Sequence, residues 1–164
     1  MSYKVITKIL SLRLKPILQD IISETQSAFV PERAISDNVL ITHEILHTLK
    51  TSEAEIHCSM AVKTNMSKAY DRLEWHFIET VLNRFGFAVP FVNLIMQCVR
   101  SASYSFLVND SVHGRIIPSR GIRQGDPLSP YIFILCGEVL SGLCQEHNGV
   151  GICQALEWQR RRLD

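Results

Sequence analysis

The stretch Pro118-Ser-Arg-Gly-Ile-Arg-Gln-Gly-Asp-Pro-Leu-Ser-Pro130 is rich in glycine and proline, as loops are, and a long apolar segment follows it. Gly121 and Gly125 allow backbone conformations that other residues avoid, and Pro127 fixes the chain shortly before the segment begins. Residues 131–144 then run apolar almost throughout, which predicts a helix packed into the interior. The stretch therefore predicts a structured loop that is anchored to the core by the helix after it.

The same loop carries several side-chain donors close together. Arg120, Arg123 and Gln124 place guanidinium and amide groups where a phosphate or a nucleic-acid base could be held. An ordinary loop that caps a helix accounts for the same residues. Taken from the residues alone, both interpretations stay open.

A second informative stretch is Met60-Ala-Val-Lys-Thr-Asn-Met-Ser-Lys-Ala-Tyr-Asp-Arg-Leu-Glu-Trp75. Its first part alternates between two faces and predicts a strand over residues 56–66, and the residues after it predict a helix. The turn between strand and helix gathers Lys68, Tyr70 and Asp71, in a position suited to gripping a ligand. The simpler alternative is that Asp71 only stabilises the start of the helix through its dipole.

The other elements are predicted from apolar periodicity and turn residues. They are a helix over 4–22 interrupted near Pro16, a helix through 39–49 capped by Ser36, Asp37 and Asn38, a helix over 73–85 closed by Gly86, a helix entered at Pro90, and strands over 104–108 and 114–118 joined by Asn109-Asp110-Ser111. The fold class is therefore α+β, helix-rich with a few antiparallel strands.

Composition limits the class of protein further. The chain has 164 residues, 46% of them hydrophobic, which predicts one globular domain and excludes a disordered tail or a coiled coil. Its 17 Lys plus Arg against 16 Asp plus Glu lack the overall positive charge of many nucleic-acid binders, so a basic surface would have to be local.

Location and cysteine chemistry are also predicted from composition. The five cysteines form no Cys-x-x-Cys pair, which favours buried core residues over metal or disulfide roles. No apolar run approaches the about 20 residues that cross a bilayer. We therefore expect an intracellular protein without membrane contact, in the nucleus or the cytoplasm.

Three blocks of the sequence resemble, in order and at suitable separations, the reverse transcriptase of plant LINE-type (non-LTR) retrotransposons. They are Gln26-Ser-Ala-Phe-Val-Pro31, Ser67-Lys-Ala-Tyr-Asp71 and Gly121-Ile-Arg-Gln-Gly-Asp-Pro-Leu-Ser-Pro130. Tyr3-Lys-Val-Ile-Thr-Lys-Ile-Leu10 and Ser36-Asp-Asn-Val-Leu-Ile41 fit the same family. The resemblance covers residues 3–148.

The resemblance implies a partial fingers-and-palm fold, with the first 50-odd residues in the fingers and the strand at 58–66 in the palm. Members of the family polymerise DNA on an RNA template from a DNA primer, using two Mg²⁺ ions held by aspartates. Tyr70 matches the aromatic residue beneath the incoming sugar, and Gln124 and Gly125 match the loop that contacts the nucleotide and the template. Arg33 matches an arginine of the fingers that meets the triphosphate.

The sequence departs from the family pattern where the metals would bind. Asn65 stands at the position of the first metal-binding Asp, six residues before Asp71, and it brings no negative charge. The Asp-Asp pair of the family's palm hairpin has no counterpart, since no Asp-Asp dipeptide occurs in the sequence. Glu32 is a lesser departure, at a position where relatives usually have Gly.

These departures lead to a prediction of a truncated, degenerate reverse transcriptase domain over 1–148, followed by a divergent tail over 149–164. No intact catalytic or metal site is expected, nor productive Mg²⁺ binding. Three alternatives stay open: a polymerase completed by another chain, a retained RNA- or DNA-binding module, and a non-functional remnant. The binding module would use Arg33, Lys68, Arg72, Arg120, Arg123 and the arginines at 160–162.

Overall fold

The computed structural model describes residues 2–51 and 61–147, which form seven helices and one two-stranded sheet. In chain order the elements are α1 (Ser2–Leu14), α2 (Leu18–Ile21), α3 (Ile35–Thr51), α4 (Ala69–Arg72), α5 (Trp75–Arg84), α6 (Val89–Arg100), β1 (Tyr104–Val108), β2 (Ser111–Ile116) and α7 (Ser129–His147). The described part is helix-rich α+β, as the sequence predicts.

The core lies where α5 packs against both α6 and α7, and α1 also packs against α6. Its fully buried side chains come from all of these helices and from the short segments between them. They include Leu14, Leu18, Ile78, Leu82, Ile95, Met96, Leu128, Ile132 and Leu135. Burial of this apolar surface supplies most of the favourable free energy of folding. The helix predicted over 131–144 is thus confirmed, and it begins two residues earlier, at Ser129.

The helix predicted over 4–22 is interrupted near Pro16, as expected. α1 ends at Leu14 and α2 begins at Leu18, with a turn between them. Proline has no N–H group to continue the helical hydrogen bonds, and its ring crowds the preceding turn. Leu14 and Leu18, on either side of the break, are both buried.

The predicted cap of α3 is wrong. The helix begins at Ile35, so Ser36, Asp37 and Asn38 lie inside its first turn. Asn38 serves a different purpose, because its side-chain oxygen accepts a buried hydrogen bond of 2.9 Å from the Ser27 hydroxyl. The capping preference of these residues is overridden by this contact with the segment before the helix.

The turns around α5 and α6 follow the prediction. Gly86, just beyond α5, has a φ of +80°, the left-handed conformation in which glycine commonly ends a helix. Pro90 lies in the first turn of α6, where its missing N–H group has no helical partner to lose.

The hairpin is confirmed, with its turn one residue shorter than predicted. β1 and β2 pair antiparallel, with Val108 opposite Ser111, and the turn consists of Asn109 and Asp110, both at positive φ. Two left-handed residues match the twist of the flanking strands, which is why Ser111 belongs to the strand. β2 ends at Ile116 rather than at Pro118, since proline offers no N–H group for pairing.

The strand predicted over 56–66 is wrong for its described part. Residues 61–66 form no strand and are exposed to solvent, and the rest of the prediction, 56–60, lies outside the described residues. An alternating pattern becomes a strand only when a neighbouring strand supplies hydrogen-bond partners, and the sheet described contains β1 and β2 alone.

Among the helices described within 2–51 and 61–147, none combines the length and the apolar composition that are needed to cross a membrane.

Candidate nucleic-acid interface

The loop after the hairpin is fastened to the α4 segment by three hydrogen bonds. The Gly121 N–H group donates to the Leu73 carbonyl at 2.7 Å, and the Ile122 N–H group donates to the Tyr70 carbonyl at 3.0 Å. The Trp75 indole N–H group donates back to the Gly121 carbonyl at 2.8 Å. The second block, Ser67–Asp71, and the third block, Gly121–Pro130, are therefore held together as one structural unit, which we call the loop unit.

Gly121 is the point of closest approach in this unit. Its φ is +90°, and a Cβ atom added there would lie 3.2 Å from both the Cα and the carbonyl oxygen of Asp71. Glycine is required here twice over, for the backbone conformation and for the space. Gly125 is also at positive φ, +81°, but a Cβ atom there would meet nothing within 4 Å.

Tyr70 belongs to α4, and its side chain packs against α7 rather than lying on the surface. The residue is 9% exposed, and its ring centroid lies 5.1 Å from that of Phe133, with the two planes tilted by 48°. A cavity of about 30 Å³ beside it is also lined by Gln26 and Phe29. The first block thus meets the second block and α7 at Tyr70.

Arg33 is turned toward the backbone of the segment before α3. Its guanidinium donates to the carbonyls of Gln26 at 2.8 Å and Ile22 at 3.2 Å, and also to that of Ser23. The Glu138 carboxylate of α7 accepts bonds from the Ser23 N–H and hydroxyl groups at 3.2 and 3.1 Å. The planar fork of arginine suits such a convergence of carbonyl oxygens. The role implied by the resemblance, a triphosphate contact, stays a prediction.

The loop also lines an open groove of about 560 Å³. Its walls are formed by Asp71, Ser103, Tyr104, Ile122, Arg123 and Gln124. Gln124 and Gly125 are exposed at the loop, so their side-chain and backbone groups are accessible to a ligand. Of the residues predicted to contact nucleotide or nucleic acid, the neighbours Arg123 and Gln124 line this groove.

The other predicted contact residues are accessible but lie outside the lining of the groove. Lys68, Arg72 and Arg120 are all exposed, and Arg120 is bridged through its backbone to Glu74 beside α5. Lys68 precedes α4 in the left-handed conformation, at a φ of 53°. Lys68 lies in the second block, Arg72 follows that block and Arg120 precedes the third, so the three cations add positive charge to the unit.

Arg123 forms a polar cluster with Tyr3 and Asp126, two residues that were not predicted as part of a site. The Tyr3 hydroxyl lies 3.2 Å from Asp126 Oδ2 and 3.4 Å from the Cys98 carbonyl, and the Arg123 guanidinium stacks 4.3 Å above the Tyr3 ring. Arg123 also donates to the Ser101 carbonyl at 3.1 Å. The only signal in the sequence was that Tyr3 and Asp126 belong to stretches that match the same family.

Burial, and after it the nearby Asp126 carboxylate, raise the pKa of the Tyr3 hydroxyl to about 12, although Arg123 partly opposes the rise. The hydroxyl therefore keeps its proton at neutral pH and donates to Asp126. Asp126 is itself buried, and its other oxygen, Oδ1, has no hydrogen-bond partner among the residues described.

The family's two Mg²⁺ ions do not fit the residues described. Asn65 lies in the exposed irregular stretch and offers a neutral amide oxygen. Within 2–51 and 61–147, no three His, Cys, Asp or Glu side chains come close enough together to hold a metal ion. Two divalent cations near each other need several carboxylates to offset their repulsion, so no step through a metal is derived for this chain.

Comparison with known families gives the class of protein. The sequence profile described as reverse transcriptase (RNA-dependent DNA polymerase) matches residues 1–155, and the helix-rich fold with its small antiparallel sheet is compatible with part of such a domain. The chain belongs to the reverse transcriptase family.

The individual relatives reported next are proteins of mobile genetic elements. The chain is similar to the transposon TX1 uncharacterized 149 kDa protein of Xenopus laevis, with 32% identity over 137 residues, 84% of this chain and 10% of that protein. It is 28% identical over 110 residues to the Pol polyprotein of the type-2 retrotransposable element R2DM of Drosophila melanogaster, covering 67% of this chain and 10% of that protein. The resemblance to non-LTR retrotransposon reverse transcriptases is confirmed.

A third relative comes from a plant. The uncharacterized mitochondrial protein AtMg01250 of Arabidopsis thaliana is 68% identical over 40 residues, which are 24% of this chain and 33% of that protein. This chain thus spans about a tenth of the TX1 and R2DM proteins and a third of the Arabidopsis protein.

Proposed function

We propose that residues 1–148 form part of the fingers and palm of a non-LTR reverse transcriptase that does not polymerise DNA by itself. Family members are RNA-directed DNA polymerases, and their template and primer would lie across the loop unit and its groove. The proposal is supported by the family match over 1–155 and by the location of the second and third blocks in one unit.

The proposed loss of catalysis rests on Asn65, which stands at the position of the family's first metal-binding aspartate. In a two-metal polymerase the first aspartate brings negative charge to both ions, which activate the primer hydroxyl and neutralise the triphosphate. An amide in its place keeps an oxygen ligand but removes a full charge from a site where charge balance decides occupancy. No Asp-Asp pair occurs in the sequence, so paired aspartates would have to come from outside these residues.

Primer extension tests this proposal directly. The chain and its Asn65→Asp variant are each incubated with an RNA template, a DNA primer, deoxynucleotides and Mg²⁺. We expect no extension from either, because the substitution restores one carboxylate and leaves the paired aspartates missing. Extension by the parent chain overturns the proposal. Extension by the variant alone would leave the proposal standing, assign the loss to residue 65 and show that the paired aspartates are not needed.

The second candidate function is binding of RNA or DNA without catalysis. It is favoured by the groove that Arg123 and Gln124 line, and by Lys68, Arg72 and Arg120, which are exposed on the same unit. The overall charge of +1 gives no general attraction to nucleic acid, so binding would depend on this local cluster.

Binding of a fluorescent single-stranded RNA, measured by anisotropy, tests this second function. Affinity should fall steeply as salt rises, and Arg120→Gln should lower the slope of log affinity against log salt by about 0.7, the value for one phosphate contact on a single strand. Arg84→Gln is the matched control, since Arg84 is exposed at the far end of α5 from the loop. Absence of binding at low salt would exclude this function, and equal slopes for both variants would exclude Arg120 as a phosphate contact.

A further inference from the structure

Arg123 is fixed from two sides before any ligand is present. The Tyr3 ring lies 4.3 Å from its guanidinium carbon, and the Ser101 carbonyl accepts a bond of 3.1 Å from its Nη2 atom. Tyr3 belongs to α1 and Ser101 follows α6, so two separate helices determine where the guanidinium lies. These contacts use one of the five N–H groups of Arg123, and the same side chain lines the groove.

Asp126 extends this arrangement by one step. Its Oδ2 atom accepts the hydrogen bond from the Tyr3 hydroxyl at 3.2 Å, and the residue is only 9% exposed. A phenol that donates to a carboxylate gains electron density in its ring, which strengthens the attraction between the ring face and a cation. Asp126, Tyr3 and Arg123 therefore form a chain of contacts that ends at the groove.

We propose that Tyr3 is a positioning residue that holds the Arg123 guanidinium toward the groove, ready to bind a backbone phosphate of single-stranded RNA or DNA. This inference rests on the nucleic-acid binding proposed above. A guanidinium held in place loses less side-chain entropy when a phosphate binds, so the loss of Tyr3 weakens binding although Tyr3 touches no ligand. Asp126 contributes by orienting the Tyr3 ring.

A double-mutant cycle separates this role from a purely structural one. Tyr3→Leu should weaken binding of the fluorescent single-stranded RNA about threefold to tenfold at low salt. In an Arg123→Ala background the same Tyr3→Leu change should have no further effect, since the side chain that it positions is gone. Tyr3→Phe keeps the ring and should bind within about twofold of the parent chain.

Thermal melting of every variant accompanies the cycle. If Tyr3→Leu melts below the assay temperature, Tyr3→Met takes its place in the cycle, because its flexible apolar chain fills the same space without a ring face. Equal losses from the Tyr3 substitution in both backgrounds would show a structural role only and overturn the inference. If the parent chain binds no RNA at low salt, the proposed binding and this inference are both wrong. If it binds RNA but the Tyr3 and Arg123 substitutions act independently, only this inference is wrong.

Discussion

Replacement of Gly121 by alanine should destabilise the protein by about 2–4 kcal/mol, from a strained backbone and an overpacked contact together. At a φ of +90° a side chain is disfavoured whatever the space around it. In addition, the new methyl group would lie 3.2 Å from the Asp71 Cα atom and carbonyl oxygen, which are backbone atoms and cannot rotate away. The substitution should also loosen the loop from α4 and weaken RNA binding, if the loop is the interface.

Substitutions at two other glycines serve as controls for Gly121→Ala. Gly125→Ala carries the unfavourable φ of +81° without a contact, so it should cost about 1–2 kcal/mol. Gly137→Ala lies within α7 and meets nothing within 4 Å, so it should stabilise the helix by about 0.5–1 kcal/mol. Urea unfolding of the three variants measures the order, and a Gly121→Ala chain as stable as Gly125→Ala would show that the loop is not packed as described.

Local signals in the sequence predicted the helices well because they depend on neighbouring residues. Pro16, Gly86 and Pro90 each act through their own backbone geometry, so the breaks and ends that they cause are readable without the fold. The apolar run after Pro130 likewise predicted α7, since a helix that is apolar on most sides has to be buried.

The failures concern features that depend on distant partners. The alternating residues at 61–66 have no neighbouring strand in the described sheet, and alternation alone does not supply one. Asn38 was read as a cap, yet its partner is Ser27, eleven residues away on another segment. Hydrogen bonds between segments leave no periodic trace in a single sequence.

In the candidate site, too, the local features were predicted from the sequence and the contacts between distant residues were not. Gly121, Arg123 and Gln124 were predicted from their types and spacing, and the structure places them in one loop unit beside the groove. The Tyr3 ring behind Arg123 could not be predicted, because 120 residues separate the two and nothing local links them. Glu32 adopts a φ of 62°, the left-handed conformation that favours glycine, which agrees with the glycine that the resemblance implies at this position.

Arg33 gives the second large effect. Arg33→Lys should lower the free energy of unfolding by about 2–4 kcal/mol, because an ammonium group cannot reach the three carbonyls that the planar guanidinium joins. Those carbonyls belong to Ile22, Ser23 and Gln26, so the loss should release the whole segment that leads from α2 to α3. The same charge is kept, which removes a change in net charge as an explanation.

Arg13→Lys is the control, since Arg13 is exposed in the last turn of α1 and its replacement should change stability by less than about 0.5 kcal/mol. Chemical unfolding gives the stability of both variants, and titration with a deoxynucleoside triphosphate gives their affinity. If Arg33 is a structural residue, the Lys variant loses stability, and triphosphate protects neither the parent nor the variant against unfolding. A variant that unfolds like the parent but loses affinity for triphosphate would instead assign the guanidinium to the nucleotide. That result would mean that the arginine leaves its carbonyl partners when the nucleotide binds, at the cost of the bonds described above.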